Sequence, residues 1–265
     1  MRAPRTLQLV EFCSLGGYEN MAADLHLFHL CEAGCDHGFL RFYTWNRPTL
    51  SLGFFESRDV IDRARAEMDG VGMVRRPTGG RVVLHGDDLT YAIVIPKAPG
   101  AGLTAAYRMI SECLVGGLSL LGVSLEFRRG VAGKTQSRNK PCFISASRYE
   151  ITCGGRKLVG SAQKLGANSI LQHGSIPLGP GYLDVTQYMS CREAERARLR
   201  RDTGAATCCL HQILPSRPDA RTVARALAGG FAKSFDVTDN AWRINALKPA
   251  TDVIAESLKS GILGP

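Results

Sequence analysis

Apolar runs of period two and amphipathic stretches of period 3.6 alternate along all 265 residues, which restricts the chain to an α/β or α+β fold with helices laid on a sheet. The clearest helix is LTAAYRMISECLVGGLSLLG, residues 103–122. There Leu103, Tyr107, Ile110, Leu114, Leu118 and Leu121 form one apolar face that should pack on the sheet. Residues 20–34, with Met21, Leu25, Phe28 and Leu30 in helical phase and a stop at Gly34, read as a helix followed by the strand FLRFYTW. SRDVIDRARAEMDG reads as a helix capped by Ser57, then VGMV, RVVL and LTYAIVI as short strands. Gly154 and Gly155 between two alternating segments give a hairpin signal. SILQHGSIPL reads as a further strand, and helical patterns cover 191–202, 221–235 (Val223, Leu227 and Phe231 on one face) and 250–261. The chain, 1–265, reads as a single domain; a smaller C-terminal helical portion could begin near residue 180, but no linker marks a boundary.

Lys and Arg exceed Asp and Glu by 33 to 24, which favours an acidic partner without choosing among nucleic acid, an anionic membrane and an acidic protein. Nine scattered cysteines without framework spacing, and an N-terminal MRAPRTLQLVEFCS lacking a signal peptide's apolar stretch, point to a reducing cytoplasm. The longest apolar run, near YAIVIP, falls far short of the roughly 20 residues of a spanning helix, so no membrane segment is expected.

The segment RRPTGGRVVLH, residues 75–85, gathers Arg75, Arg76, Thr78, Gly79, Gly80, Arg81 and His85. Small residues there let backbone N–H groups converge on a negative oxygen, so the loop is either an anion or oxyanion site or a tight turn with solvated arginines. GVAGKTQ has the Gly-Lys-Thr end of a phosphate loop but Arg128 where its first glycine belongs, which excludes that motif. Cys31, Cys35 and His37 have loose metal-like spacing without a second ligand pair, so no metal is expected. Cys142 follows a proline in a polar loop and is a candidate nucleophile, which would need a nearby cation or base. Lys157, on the far arm of the hairpin, is such a group; Lys164 and His173 are further candidate bases that spacing alone does not separate from it. Cys153 alternates with Ile151 and Tyr149 and should pack rather than react.

Taken together, RRPTGGRVVLH with the following DLTY, PCFISASRYEITCGGRKLVGSAQK and LQHGSIPL resemble the lipoate and octanoate attachment family, from roughly residue 18 to residue 180. The resemblance implies an α/β fold related to biotin-protein ligases and class II aminoacyl-tRNA synthetases, with a mixed sheet around a tunnel for a medium-length acyl chain. ATP-dependent ligases of the family have a third glycine where Arg81 stands, and Arg-Asn-Asp where Arg148, Tyr149 and Glu150 stand. The Pro-Cys-Phe segment instead resembles the cysteine-dependent octanoyltransferases typified in Gram-positive bacteria. Glu56 and Asp88 replace an expected glutamine and glutamate, which touches substrate detail rather than the reaction.

That branch implies a two-step transfer. Cys142 takes octanoyl from octanoyl-acyl carrier protein, and the thioester passes it to the lysine of a lipoyl-domain protein such as the glycine cleavage H protein or a 2-oxoacid dehydrogenase subunit. Lys157 serves as the acid and base. Arg75, Arg76, Thr78, Gly79, Gly80, His85, Gly160, Ser161, Ala162 and His173 are the expected substrate-binding residues, with no cofactor, nucleic acid or membrane involved. The rival readings are an ATP-dependent lipoate-protein ligase, an amidotransferase between lipoyl domains, and a non-catalytic binding protein on the same fold.

Overall fold

The computed structural model describes residues 6–97, 102–129, 149–242 and 244–260. Its main element is an eight-stranded mixed sheet. In order across the sheet the strands are β11 (Asp236–Trp242), β1 (Thr6–Leu15), β2 (Gly38–Trp45), β6 (Asp88–Pro96), β10 (Ser169–Pro177), β9 (Arg156–Leu165), β8 (Tyr149–Cys153) and β7 (Glu126–Arg129). β1 runs parallel to both β11 and β2, and every pairing from β2 to β7 is antiparallel. A three-stranded sheet, β4 (Gly72–Arg75), β3 (Thr49–Leu52) and β5 (Val83–His85), lies beside it. The mixed sheet with flanking helices is the fold class expected from the sequence.

The two faces of the main sheet carry different layers. On one, α3 (Leu103–Ser119) and α5 (Ala220–Ala232) pack together over the largest core. Ile110, Leu114 and Leu118 of the first and Val223, Leu227 and Phe231 of the second are fully buried there, as their helical spacing required. The helices approach closely because Gly117 and Gly230 carry no side chain: a Cβ on Gly230 would stand 2.3 Å from the Gly117 nitrogen. On the other face, α1 (Gly17–Glu32) packs with α6 (Ile244–Ser260), and Met21, Leu27 and Phe28 join Phe39, Tyr43 and Val94 in a second core. After residue 180 the chain thus supplies a helix to each layer and, through β11, an edge strand paired with β1.

One local expectation is corrected. Residues 57–70 do not make one helix capped by Ser57. Ser57 caps only a single 3₁₀ turn, Arg58–Val60, and the separate α2 (Arg63–Met68) is capped by Asp62, whose side chain accepts from the Arg65 N–H at 3.1 Å. The break falls at Ile61, which turns extended to bridge Met189 and buries its side chain. The hairpin at Gly154 and Gly155 forms as read, both residues adopting positive φ (54° and 75°), the combination a two-residue turn of this hand needs.

Candidate active site

Between the α1 face of the main sheet and the small sheet lies a pocket of about 420 Å³, the part open to solvent included. Three sets of residues line it. Tyr43, Trp45, Thr90, Gly160, Ala162, His173 and Ser175 come from the main sheet, Ser51, Val83 and His85 from the small one, and Met21 from α1; Arg76, Ser161 and Gly174 complete the wall.

Two parallel relays of carboxylate, imidazole and hydroxyl are built into this wall. In the first, Asp24 of α1 accepts from Arg41 Nη1 at 2.8 Å, from the Tyr43 hydroxyl at 2.9 Å and from His173 Nδ1 at 3.0 Å. With Nδ1 donating, His173 Nε2 accepts from the Thr78 hydroxyl at 2.6 Å. Burial pushes His173 below the usual imidazole range, outweighing the Asp24 carboxylate, and pushes the Tyr43 hydroxyl well above its own. In the second, Asp88 Oδ2 meets His85 Nδ1 at 2.8 Å, and His85 Nε2 meets the Ser51 hydroxyl at 2.8 Å. Burial alone would raise Asp88. The His85 charge and the hydrogen bonds from His85, Ser175 and the Gly86 N–H outweigh it and hold the carboxyl below its ordinary range. The His85 ring stacks on Trp45, 4.2 Å between centroids, so both imidazoles are held rigidly as pocket wall.

The 75–85 loop connects β4 to β5 on either side of β3. Its first two arginines brace backbone. Arg75 Nη1 donates to the carbonyls of Gly53, Phe54 and Glu56 at 2.7 to 2.9 Å. Arg76, buried, donates to the carbonyls of Ser51, Gly79 and Arg81. The loop folds tightly onto the 53–56 turn: a Cβ on Gly53 would come within 1.9 Å of the Gly80 carbonyl oxygen, and Gly80 itself adopts φ of 98°. Of the expected substrate-binding residues, Arg76, His85, Gly160, Ser161, Ala162 and His173 line one pocket. Thr78 stands behind His173, Gly79 and Gly80 lie in the braced loop, and Arg75 lines a separate cleft with Arg58, Arg63 and Lys259.

Lys157 reaches the pocket's face of the sheet through an irregularity. Thr152 pairs with Lys157, but Ile151 pairs with Val159, so β9 carries one extra residue, a bulge at Leu158. Leu158 and Val159 are both buried in the α3 core, which neighbours in a regular strand could not be. Counting by twos from Ser161, whose hydroxyl meets Tyr91 on the α3 side, would place Lys157 on that side. The bulge reverses the phase and sets Lys157 with Gly160 and Ala162. There it is buried, with Nζ 3.3 Å from Glu150 Oε1.

The expected nucleophile, Cys142, lies outside the described residues. Eight other cysteines are described, all as free thiols. Cys208 is the one beside Lys157, but its Sγ points at the Arg156 and Lys157 carbonyls (3.6 and 3.7 Å), and burial pushes it up to about 11. Burial also pushes Cys31 up to about 12 and raises Cys35, Cys113 and Cys209. These are packing thiols. Among the described residues no three His, Cys, Asp or Glu side chains group as metal ligands.

Residues 16–232 match the lipoyl protein ligase A/B catalytic domain. The chain belongs to this family. Among curated members it is 40% identical over 244 residues to the octanoyltransferase LipM of Carboxydothermus hydrogenoformans, covering 88% of this chain and 87% of that one. It is 38% identical to the octanoyltransferase LipM of Moorella thermoacetica over 229 residues, 83% of each chain. The fold is that of a lipoate-protein ligase A solved with ATP (TM-score 0.75, 19% identity, 96% and 94% of the two chains). It is also that of the bipartite lipoate protein ligase of Thermoplasma acidophilum (TM-score 0.75, 18% identity, 97% and 92%).

Within this lipoyl ligase fold, Asp24, Arg41, Tyr43, Trp45, Ser51, Thr90 and Ser175 are pocket or relay residues that sequence reasoning missed. Two left a signal. Asp24 falls on the same helical face as Met21 and Phe28, and Arg41 alternates in phase with Phe39 and Tyr43. Both are charges written into apolar stripes, which occurs where a buried partner waits.

Proposed function

We propose that this chain is an octanoyltransferase that moves octanoyl from octanoyl-acyl carrier protein to the lysine of a lipoyl-domain protein through a thioester on Cys142. The observation that carries the reading is Lys157, turned by the bulge onto the pocket's face, in a chain whose curated relatives are octanoyltransferases. The hydrocarbon tail occupies the pocket walled by Met21, Trp45, Val83 and Ala162, where the imidazoles of the two relays are already hydrogen-bonded to protein and so compatible with an apolar guest.

The Cys142 thiolate attacks the carbonyl of the carrier thioester; a new C–S bond forms, the carrier C–S bond breaks, and the leaving thiolate takes a proton from the Lys157 ammonium. In the second half the neutral Lys157 amine takes a proton from the acceptor lysine, whose nitrogen attacks the enzyme thioester; the C–N bond forms and the Cys142 thiolate leaves. The backbone of 78–80, braced by Arg76, and that of Gly160 and Ser161 serve the oxyanion. Fixed in their thiol form, Cys208 and Cys209 supply no competing nucleophile. The whole chain works as one catalytic domain in the cytoplasm, and its excess of basic residues steers acidic carrier domains toward the pocket mouth. No helix among the described residues is long and apolar enough to cross a membrane.

The test is intact-protein mass spectrometry after mixing with octanoyl-acyl carrier protein without ATP. An octanoyl adduct mapping to Cys142, lost in Cys142→Ala, is the expected result. Transfer that needs ATP and survives Cys142→Ala would make the chain a ligase.

A further inference from the structure

The Glu150 and Lys157 side chains meet on the face opposite the α3 core. On β8, Ile151 points into that core, so Glu150 and Thr152 point away from it, and Thr152 is the register partner of Lys157. The Glu150 side chain is 22% exposed and that of Lys157 8%, so this pair lies partly out of water, where a carboxylate acts on an ammonium more strongly than at an open surface. The backbone is equally constrained. The Lys157 carbonyl accepts from the Cys208 N–H at 2.9 Å, and Lys157 bridges Thr207, whose hydroxyl meets that of Tyr182 at 2.8 Å.

We propose that Glu150 is a positioning residue for Lys157, its carboxylate orienting the ammonium at the end of the pocket-face row and keeping it charged until a proton is taken from it. The inference rests on the reading of Lys157 as the acid and base, and it adds a third member to that pair: an acid that orients the base. Among the described residues, the other titratable groups on the elements packed around Lys157 differ from Glu150 in kind or position. Cys208, Cys209 and Tyr182 are raised by burial and stay neutral. Arg156 donates to Gln212, Cys153 packs against the α3 core, and Glu126 stands across β8 on β7. Asp24, His173, His85 and Asp88, farther into the pocket, are engaged in the relays. A carboxylate beside an ammonium favours its charged form; Glu150→Gln removes that carboxylate, while Glu150→Asp keeps it on a shorter arm.

Two measurements test this. Short pulses of acetic anhydride at fixed pH, followed by peptide mass spectrometry, give the reactivity of the Lys157 amine, with Lys97 and Lys233 as internal references. Glu150→Gln should raise the acetylation of Lys157 by about threefold or more relative to the two references, which stay in place. Glu150→Asp should recover most of the wild-type protection. Repeating the footprint in Cys142→Ser separates the two ideas, because it reads Lys157 whether or not an acyl adduct forms on the cysteine. In parallel, the basic-side limb of the transfer pH profile should move with the footprint. An unchanged Lys157 footprint in folded Glu150→Gln, whatever its activity, would reduce Glu150 to a structural residue and overturn the proposal.

Discussion

Asp24→Asn tests the buried end of the first relay. The substitution keeps the shape of the side chain and an acceptor oxygen but removes the charge that faces Arg41 Nη1 at 2.8 Å, in a pair with neither side chain exposed. The other hydrogen-bond partners of the guanidinium are the Asn20 carbonyl at 3.1 Å, the Asn20 side-chain oxygen at 2.6 Å and Cys13 Sγ at 3.4 Å, none of them a carboxylate. Removing one partner of a buried ion pair destabilises by about 3–5 kcal/mol, because the other charge is left uncompensated. At about 2 °C per kcal/mol for a chain of this size, the thermal midpoint should fall by about 6–10 °C. Arg41→Met should cost a comparable amount, and the double variant should be less destabilised than the sum of the two by at least about 1 kcal/mol, since neither charge is then stranded. The exposed pair Arg108 and Glu112 provides the control, where Glu112→Ala should change stability by about 0.5 kcal/mol or less. Urea denaturation followed by circular dichroism gives all four values. A loss under about 1 kcal/mol for Asp24→Asn, or strict additivity in the double variant, would refute the view that this ion pair is electrostatically isolated from water.

Further expectations concern acid stability, the tight loop and the pocket. His173 is held below its ordinary range, so the unfolded chain binds its proton first; stability complete above about pH 6.5 should decline as pH falls from there toward the folded value, and Asp88, also depressed, adds a further loss below about pH 4. His173→Gln should flatten the upper part of the thermal midpoint against pH curve, and an unchanged slope would assign it to other groups. Gly53→Ala drives a methyl into the Gly80 carbonyl oxygen and should displace the 78–80 backbone, lowering transfer at least about tenfold while the fold persists; wild-type turnover would show that the loop yields without consequence. Val83→Phe adds volume to the pocket wall and should shift preference from octanoyl toward shorter acyl chains in a competition between carrier donors. An unaltered ratio would place the tail elsewhere.

Periodicity carried far into the fold. The apolar stripes of α1, α3 and α5 and the glycine pair of the β8–β9 hairpin all appear where residue spacing put them, because each depends on neighbours within a few positions. Six of the residues that motif reasoning names meet in one pocket, and Arg75 and Arg76, named there as ligand groups, also brace the backbone by donating to its carbonyls. Spacing along the chain carries no information on which acceptors a guanidinium will meet. The relays were illegible for the same reason: Asp24 and His173 lie 149 positions apart, and Ser51 and His85 lie 34 apart.

From its sequence alone the chain was determined to be an α/β or α+β fold with helices laid on a sheet, with a glycine-rich loop, a cysteine and a lysine as the chemical vocabulary of the acyl-transfer family it resembles. Only the tertiary structure decided which way the lysine faces. Period two assigns Lys157 to the core side with Ser161; the extra residue at Leu158 is accommodated because packing two adjacent apolar side chains into the α3 core outweighs a regular ladder, and that non-local gain turns the amine toward Glu150 and the pocket face.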